Sequence, residues 1–500
     1  MRRPVTIAVV FVALIVLPAC GKTDEKARAA GIAPSESLAF VSVNLDPAIE
    51  QKRAISSIAG KFPDFSAQAG DFEEARDKVL GQLAAEVRLN YKLDVEPWLG
   101  NELAVAVLPS QGGKEPVAVL MAASKDDDKA KAALEKAKGG GKFGGEFRLV
   151  GRFVIVANNE DKAQNPRALD LVERQQTNGS RGLAESDRFR KLVNELNDNR
   201  LVLVWADSSA LTQANASGSD AQDLQAAQCL GGSTTVAVDL HAEDSAVVLE
   251  GVTEGQSSGQ GELKLANGLP ADSLGAFSAF GVGDLLSRCL GQIPDSDDFV
   301  MDTRRETGLD IQADVLAWMR GEVTLVMGPV PSGRDAPDFA LLVEPTDRPK
   351  AEAAFSKLRP NLLRRGGGFQ ERRLGDITAL VSTQSEEDGF QPALALLPDR
   401  FVLASRPEYL EVISKPATPG LGSAGVVPES EGGGKSDRTS LQLVVRIDPI
   451  REAFEKVMDP AEKVEYEKST KPNLVHLGTF TFVSRRDGTL DHLQVKLTFD

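Results

Sequence analysis

The residues that usually announce an enzyme are scarce in this chain. Its 500 residues include three cysteines, three histidines, three tryptophans and three tyrosines. Three histidines leave little material for general acid–base catalysis near neutral pH. No H-E-x-x-H or C-x-x-C pattern occurs, and the one G-x-S-x-G match, Gly255 to Gly259, lies in a polar Gly/Ser-rich join and not at a strand-to-helix turn, so zinc hydrolysis and nucleophile-elbow chemistry lose their support. Scarce tyrosine and tryptophan argue against aromatic cages and polysaccharide platforms, and aromatic packing falls to 21 phenylalanines. Positive charge is short as well, 57 Lys and Arg against 73 Asp and Glu, a net −16. That balance opposes nucleic acid, whose phosphates need clustered cations, and opposes adhesion to anionic head groups by charge alone. Beyond the first residues no run approaches 18 consecutive apolar residues, so the body is not expected to span a membrane.

The first 25 residues are different. Arg2 and Arg3 precede an almost unbroken apolar run from Val5 to Leu17, the pattern of a secretory signal too short for a spanning helix. Leu17-Pro18-Ala19-Cys20 resembles the lipobox of bacterial lipoproteins, in which a peptidase cuts before the cysteine and the thiol carries a diacylglycerol. Two acyl chains anchor stably where one is marginal. The expectation is a signal peptide over 1–20, lipidation at Cys20 and a polar tether over 21–33. With Cys20 assigned to lipid, Cys229 and Cys289 remain. An exported chain permits a disulfide between them, and two buried apolar thiols are the alternative.

The two halves of the chain match each other in order. "PSESLAFVSVNLDP" from Pro34 is echoed by "PADSLGAFSAFGVGD" from Pro270, and "LDVEPWLGNELAVAVLP" from Leu93 by "ADVLAWMRGEVTLVMGP" from Ala313. Trp98 matches Trp318, each with a glutamate four residues on, Glu102 and Glu322. "GRFVIVAN" from Gly151 parallels "DRFVLASR" from Asp399. These matches predict two tandem repeats, over 34–255 and 263–500, each a unit much longer than a solenoid repeat. Within each, period-2 alternation marks strands and strong helix formers mark helices over 125–138 and 349–359. Ser124-x-x-Asp127 reads as a capping box for the first, and Thr346 or Asp347 as the cap of the second. Short turns between strands imply antiparallel pairing, so the predicted class is α+β with helices packed on a mainly antiparallel sheet. The segments 213–222 and 253–262 read as flexible polar joins, and 418–440 as a mobile insertion with no first-half equivalent.

Several motifs lose to simpler readings. Gly420 to Gly425 fits G-x-G-x-x-G, but prolines flank it and no strand leads into a helix. Gly434-Lys435-Ser436 resembles the end of a phosphate loop, but a strand follows where a helix is needed. Asp126, Asp127 and Asp128 suggest a hard-cation site, and a helix dipole explains them more simply. His241 and His492 are expected as exposed residues near strand ends, and Glu102 and Glu322 as strand-end structural residues.

The lipobox, "LAFVSVNLDPAIEQ", Phe62-Pro63, "WLGNELAVAVLP" and "RFVIVAN" together resemble the DUF3352 family of bacterial exported proteins. That resemblance implies no activity and no catalytic residues. The expected protein is a non-enzymatic, lipid-anchored extracytoplasmic binding or scaffold module of the cell envelope, without catalytic, cofactor or metal site. Its expected partners are the membrane through the anchor and an envelope protein or apolar ligand, not nucleic acid. The alternatives are a solute or lipid carrier holding its ligand between the halves, and a carboxylate-based envelope hydrolase.

Overall fold

A computed structural model describes residues 28–63, 72–111, 115–140, 144–158, 162–177, 182–209, 211, 235–254, 259–290, 296–364, 368–385, 389–415, 417, 419–424 and 439–500. No helix among them is long and apolar enough to cross a membrane. The chain divides into two compact units, the first ending at Glu254 and the second running from Gly255 to Thr498. Each is α+β on an antiparallel sheet.

In unit 1 a short helix, α1 (Arg28–Ile32), precedes β1 (Ala39–Asn44). Helices α2 (Ile49–Gly60) and α3 (Phe72–Glu86) lead to β2 (Leu99–Leu108) and β3 (Val117–Ser124). Helix α4 (Asp127–Gly139) leads to the hairpin β4 (Glu146–Val150) and β5 (Phe153–Ala157). Helices α5 (Gln164–Thr177) and α6 (Asp187–Val193) precede β6 (Val202–Asp207), and β7 (Thr235–Glu243) with β8 (Ala246–Glu254) closes the unit. The sheet order is β4-β5-β3-β2-β1-β6-β7-β8, antiparallel throughout. Alternate β2 residues are buried, as period-2 patterning requires. Phe40, Phe189 and Trp205 meet in the core at ring-centroid distances of 6.0 and 5.7 Å.

Unit 2 follows the same plan. After α7 (Lys264–Asn267) come β9 (Gly275–Phe280), α8 (Val282–Cys289), α9 (Ser296–Thr307), β10 (Glu322–Met327), β11 (Phe339–Val343) and α10 (Arg348–Arg364). Strands β12 (Phe369–Leu374), β13 (Ile377–Ser382), β14 (Ala393–Leu396) and β15 (Phe401–Ala404) lead through α11 (Pro407–Ile413) to β16 (Thr439–Arg446). Helices α12 (Ile447–Val457), α13 (Pro460–Glu465) and α14 (Lys471–Leu474) then precede β17 (Leu477–Asp487) and β18 (Leu490–Phe499). The order β12-β13-β14-β15-β11-β10-β9-β16-β17 extends that of unit 1 by the edge hairpin β12–β13.

A detailed local structure occurs once in each unit. Before β2, a π-helical turn over Tyr91–Val95 is capped by the Asn90 side chain, and Trp98 Nε1 donates to Asp94 O at 2.7 Å. Before β10, a π-helical turn over Ile311–Leu316 is capped by Asp310, and Trp318 Nε1 donates to Asp314 O at 2.7 Å. Lys136 pairs with Asp94 and Lys357 with Asp314. Those lysine hydrogen bonds hold both carboxyls below the usual carboxylate range.

Several expectations change. The tether over 21–33 is too long, because α1 and Ala33 are packed into unit 1, with Ala29, Ala30 and Ala33 fully buried. Small apolar residues let that helix sit close to its neighbours. The segment 418–440 is not one loop: Leu421–Ala424 form a 3-10 turn with Leu421 fully buried, and Thr439 and Ser440 open β16. It also has a first-half counterpart, since Pro34 bridges to Gly182 ahead of the 3-10 turn Leu183–Glu185 and Pro270 bridges to Gly420 in the same way. Both glycines are sterically required, as an added Cβ would fall 2.2 Å from Gly31 O or 2.3 Å from Asn267 O. The residues 425–438 and the Lys435 motif lie outside the described residues. The join expected over 253–262 begins inside β8, and Gly261 bridges to Thr439. Asp126, rather than Ser124, caps α4, its carboxylate accepting from Lys129 N at 3.1 Å.

The sheet register also shifts one sequence match by a residue. Leu103 pairs with Ala122 in unit 1 and Val323 with Val343 in unit 2, while Ala122 faces Val154 and Val343 faces Phe401. Val154 and Phe401 therefore hold corresponding places, where string matching aligns Phe153 with Phe401. Arg152 then corresponds to Asp399 in the turn before the strand.

Candidate functional site

Unit 1 contains a cleft of about 430 Å³. It forms where α1, the start of β2, the end of β3, the β4–β5 turn and the end of α5 converge, lined among others by Gly31, Asn101, Ser124, Lys125, Arg152 and Gln176. Its wall is shaped by a break in regular pairing between Leu99 and Leu103, where a Cβ on Gly100 would come within 2.9 Å of Ala123 Cβ. The hairpin turn uses left-handed backbone at both positions, Gly151 at φ 53° and Arg152 at φ 64°. Such a turn matches strand twist but favours glycine or asparagine at the second position. Arg152 stands there instead, its carbonyl accepting from Ser124 N at 2.8 Å.

Among the described residues the lining holds two cations and no carboxylate, histidine or thiol. Lys125 and Arg152 are exposed and form no ion pair with any described residue. The Ser124 hydroxyl is buried, at 5 % residue exposure, and has no hydrogen-bond partner. Buried hydroxyls normally find one, because an unmade bond costs about 1–3 kcal/mol. The cleft can therefore offer an anion two charged donors.

The corresponding place in unit 2 has different chemistry. By register, Ala123, Ser124 and Lys125 become Glu344, Pro345 and Thr346. Lys125 N donates to Trp98 O, and Thr346 N to Trp318 O, which fixes the same correspondence. The Glu344 carboxylate turns back over Gly321 and accepts from Glu322 N at 3.4 Å. Asp399, in the place of Arg152, accepts two bonds from the buried Arg400.

A second polar group is buried between β7 and β8. Asp239 faces Glu250 across the strands, and His241 Nδ1 lies 2.8 Å from Asp239 Oδ1. His241 is 5 % exposed, which corrects the expectation of an exposed strand-end residue. Burial pushes the His241 pKa down, but the Asp239 hydrogen bond and the charges of Asp239, Glu250 and Glu243 outweigh it, leaving the net shift upward. These three side chains come close enough to suggest a divalent ion. However, Asp239 Oδ2 is engaged by Asn197 N at 3.0 Å and Oδ1 by His241, and the half-buried Arg200 adds opposing charge beside Asp239. The group reads as a buried ion pair. Alternation of Asp239 and His241 on one strand face was the available signal.

Glu102 and Glu322 each cap a short helix. Glu102 Oε2 accepts from Ala29 N at 3.2 Å, and Glu322 accepts from Leu265 N at 2.7 Å and Ala266 N at 2.9 Å. Both are buried, so the carboxylates satisfy N–H groups that water does not reach. Asp126 belongs to its helix start and an ion pair with Lys129. Cys289 is buried and disulfide-bonded, while Cys20 and Cys229 lie outside the described residues.

Comparison with known proteins adds a family. A family model described as "Protein of unknown function (DUF3352)" matches residues 5–387. No curated protein matches the chain. Among solved structures, one described as crystal form IV of TP0453 is 13 % identical, covers 45 % of this chain and 75 % of its own, and has a TM-score of 0.23. Crystal form III of TP0453 is 10 % identical over 47 % of this chain and 93 % of its own, also at 0.23.

Proposed function

The chain belongs to the DUF3352 family, and on that premise we propose that it is a lipid-anchored, extracytoplasmic, non-enzymatic binding module of the cell envelope. The anchor is the diacylglycerol on Cys20, which becomes the first residue after cleavage behind Ala19. Its body arose by duplication, and Cys229 pairs with Cys289. The recurring π-helical turn, tryptophan hydrogen bond and helix-capping glutamate support the duplication.

One observation carries the binding reading: the unit 1 cleft is open and cationic, with a buried hydroxyl left unbonded, while a side chain lies across the corresponding place in unit 2. A cleft of this volume falls in the range of small-molecule sites. Its described lining residues include no carboxylate, histidine or thiol, which suits binding rather than turnover.

Native mass spectrometry of the full lipoprotein, released from its host membrane in mild detergent, tests this. A discrete non-covalent adduct that disappears on denaturation is expected. A bare mass from freshly prepared protein, with no adduct recovered from a host extract, would sink the reading. Cys20→Ser should move the protein from the membrane fraction to the soluble extracytoplasmic fraction.

A further inference from the structure

We propose that the unit 1 cleft takes a small carboxylate, held by the Arg152 guanidinium and the Lys125 ammonium. The proposal rests on the binding-module reading and adds the ligand class.

Three observations point the same way. Arg152 occupies a left-handed position, φ 64°, where glycine is the unstrained choice. Sparsely populated backbone of this kind persists where the surroundings hold it and clusters at ligand sites. Both cations at the cleft lack a carboxylate partner among the described residues, although the chain is acidic overall at −16. Ser124 lines the cleft, and its buried hydroxyl has no hydrogen-bond partner.

Unit 2 indicates which anion fits. Where unit 1 has Ala123, unit 2 has Glu344, whose carboxylate crosses the strand start and bonds Glu322 N. The protein's own carboxylate thus occupies the place that stands open in unit 1. A planar carboxylate also suits a guanidinium fork, which binds it through two parallel N–H bonds.

The test is isothermal calorimetry on the detergent-solubilised full chain, with glutarate as probe and inorganic phosphate and chloride as comparison anions at matched ionic strength. Saturable glutarate binding is expected with a Kd of about 1 mM or tighter. Arg152→Ala should weaken it at least about tenfold, because the fork is lost. Ala123→Glu, which brings the unit 2 carboxylate into unit 1, should abolish it while keeping the wild-type unfolding midpoint or raising it. Arg152→Gly should leave the protein folded, relieve the left-handed strain and still fail to bind.

No saturable heat with glutarate would overturn the proposal, as would tighter binding of phosphate, or an Ala123→Glu variant that binds like wild type. An adduct in native mass spectrometry that glutarate does not displace would reject the carboxylate class and leave the binding-module reading standing. Absence of both would reject the two together.

Discussion

Glu322→Ala offers the sharpest test of how unit 2 is held together. The side chain is fully buried and accepts bonds from Leu265 N, Ala266 N and the Thr324 hydroxyl at 2.7, 2.9 and 3.0 Å. Thr324 keeps a second partner in Ser278, so its hydroxyl is not orphaned by the change. Leu265 and Ala266 are 4 % and 3 % exposed, so their N–H groups would lose the carboxylate without gaining bulk water. Each buried donor left unmade costs about 1–3 kcal/mol. Removing a buried carboxylate also removes its desolvation cost, which partly offsets that loss. A net destabilisation of about 3 kcal/mol is expected, a large share of the typical 5–15 kcal/mol for a domain. Glu322→Gln keeps one acceptor oxygen and should cost about 1 kcal/mol. Urea unfolding at pH 7 measures both, and amide exchange at Leu265 and Ala266 locates the effect. An alanine variant within about 0.5 kcal/mol of wild type, or exchange unchanged at those two amides, would refute the capping argument.

Other expectations follow from the same contacts. Burial raises the Glu322 pKa above 4.5 despite the opposing N–H and hydroxyl bonds. The folded state therefore binds the extra proton, and stability should fall as pH rises from about 4.5 through the folded value; Glu322→Gln should remove that component of the pH profile. His241 is raised above 6.5, so its contribution is fully present below 6.5 and lost as pH climbs through the folded value. His241→Gln should flatten the melting-temperature profile over that window, and an unchanged slope would count against the Asp239 pair. Trp98→Phe and Trp318→Phe each lose one indole hydrogen bond of 2.7 Å and should destabilise by about 1–2 kcal/mol in urea, with similar values in both units. Cys289→Ser opens a disulfide and should lower stability by about 2–4 kcal/mol, with the same loss for Cys229→Ser if the two pair.

Elements with short-range signals were legible from the chain alone. Period-2 alternation placed β2 and β5, and strong helix formers placed α4 and α10 within a few residues of their observed ends. The tryptophan and glutamate pairs at 98 and 102 and at 318 and 322 marked corresponding strand starts, and both glutamates proved structural. The helices α12 to α14, between β16 and the closing strands, carry no comparable signal; α12 packs on β17 without a fully buried residue.

What the chain by itself determined is the α+β class, the order of most elements in unit 1 and an apolar start followed by an acidic body. Those are properties of composition and of neighbours a few residues apart, where backbone sterics and side-chain periodicity act. Tertiary structure decided the rest. The cleft needs Gly31, Gly100, Ser124, Arg152 and Gln176, drawn from five separate segments, and no local pattern specifies their meeting. His241 is buried because β7 carries Asp239 beside it and packs on unit 1's other elements, a matter of pairing rather than of propensity. The one-residue offset between Phe153 and Phe401 arises because hydrogen-bond register, not string similarity, sets which face a strand residue occupies.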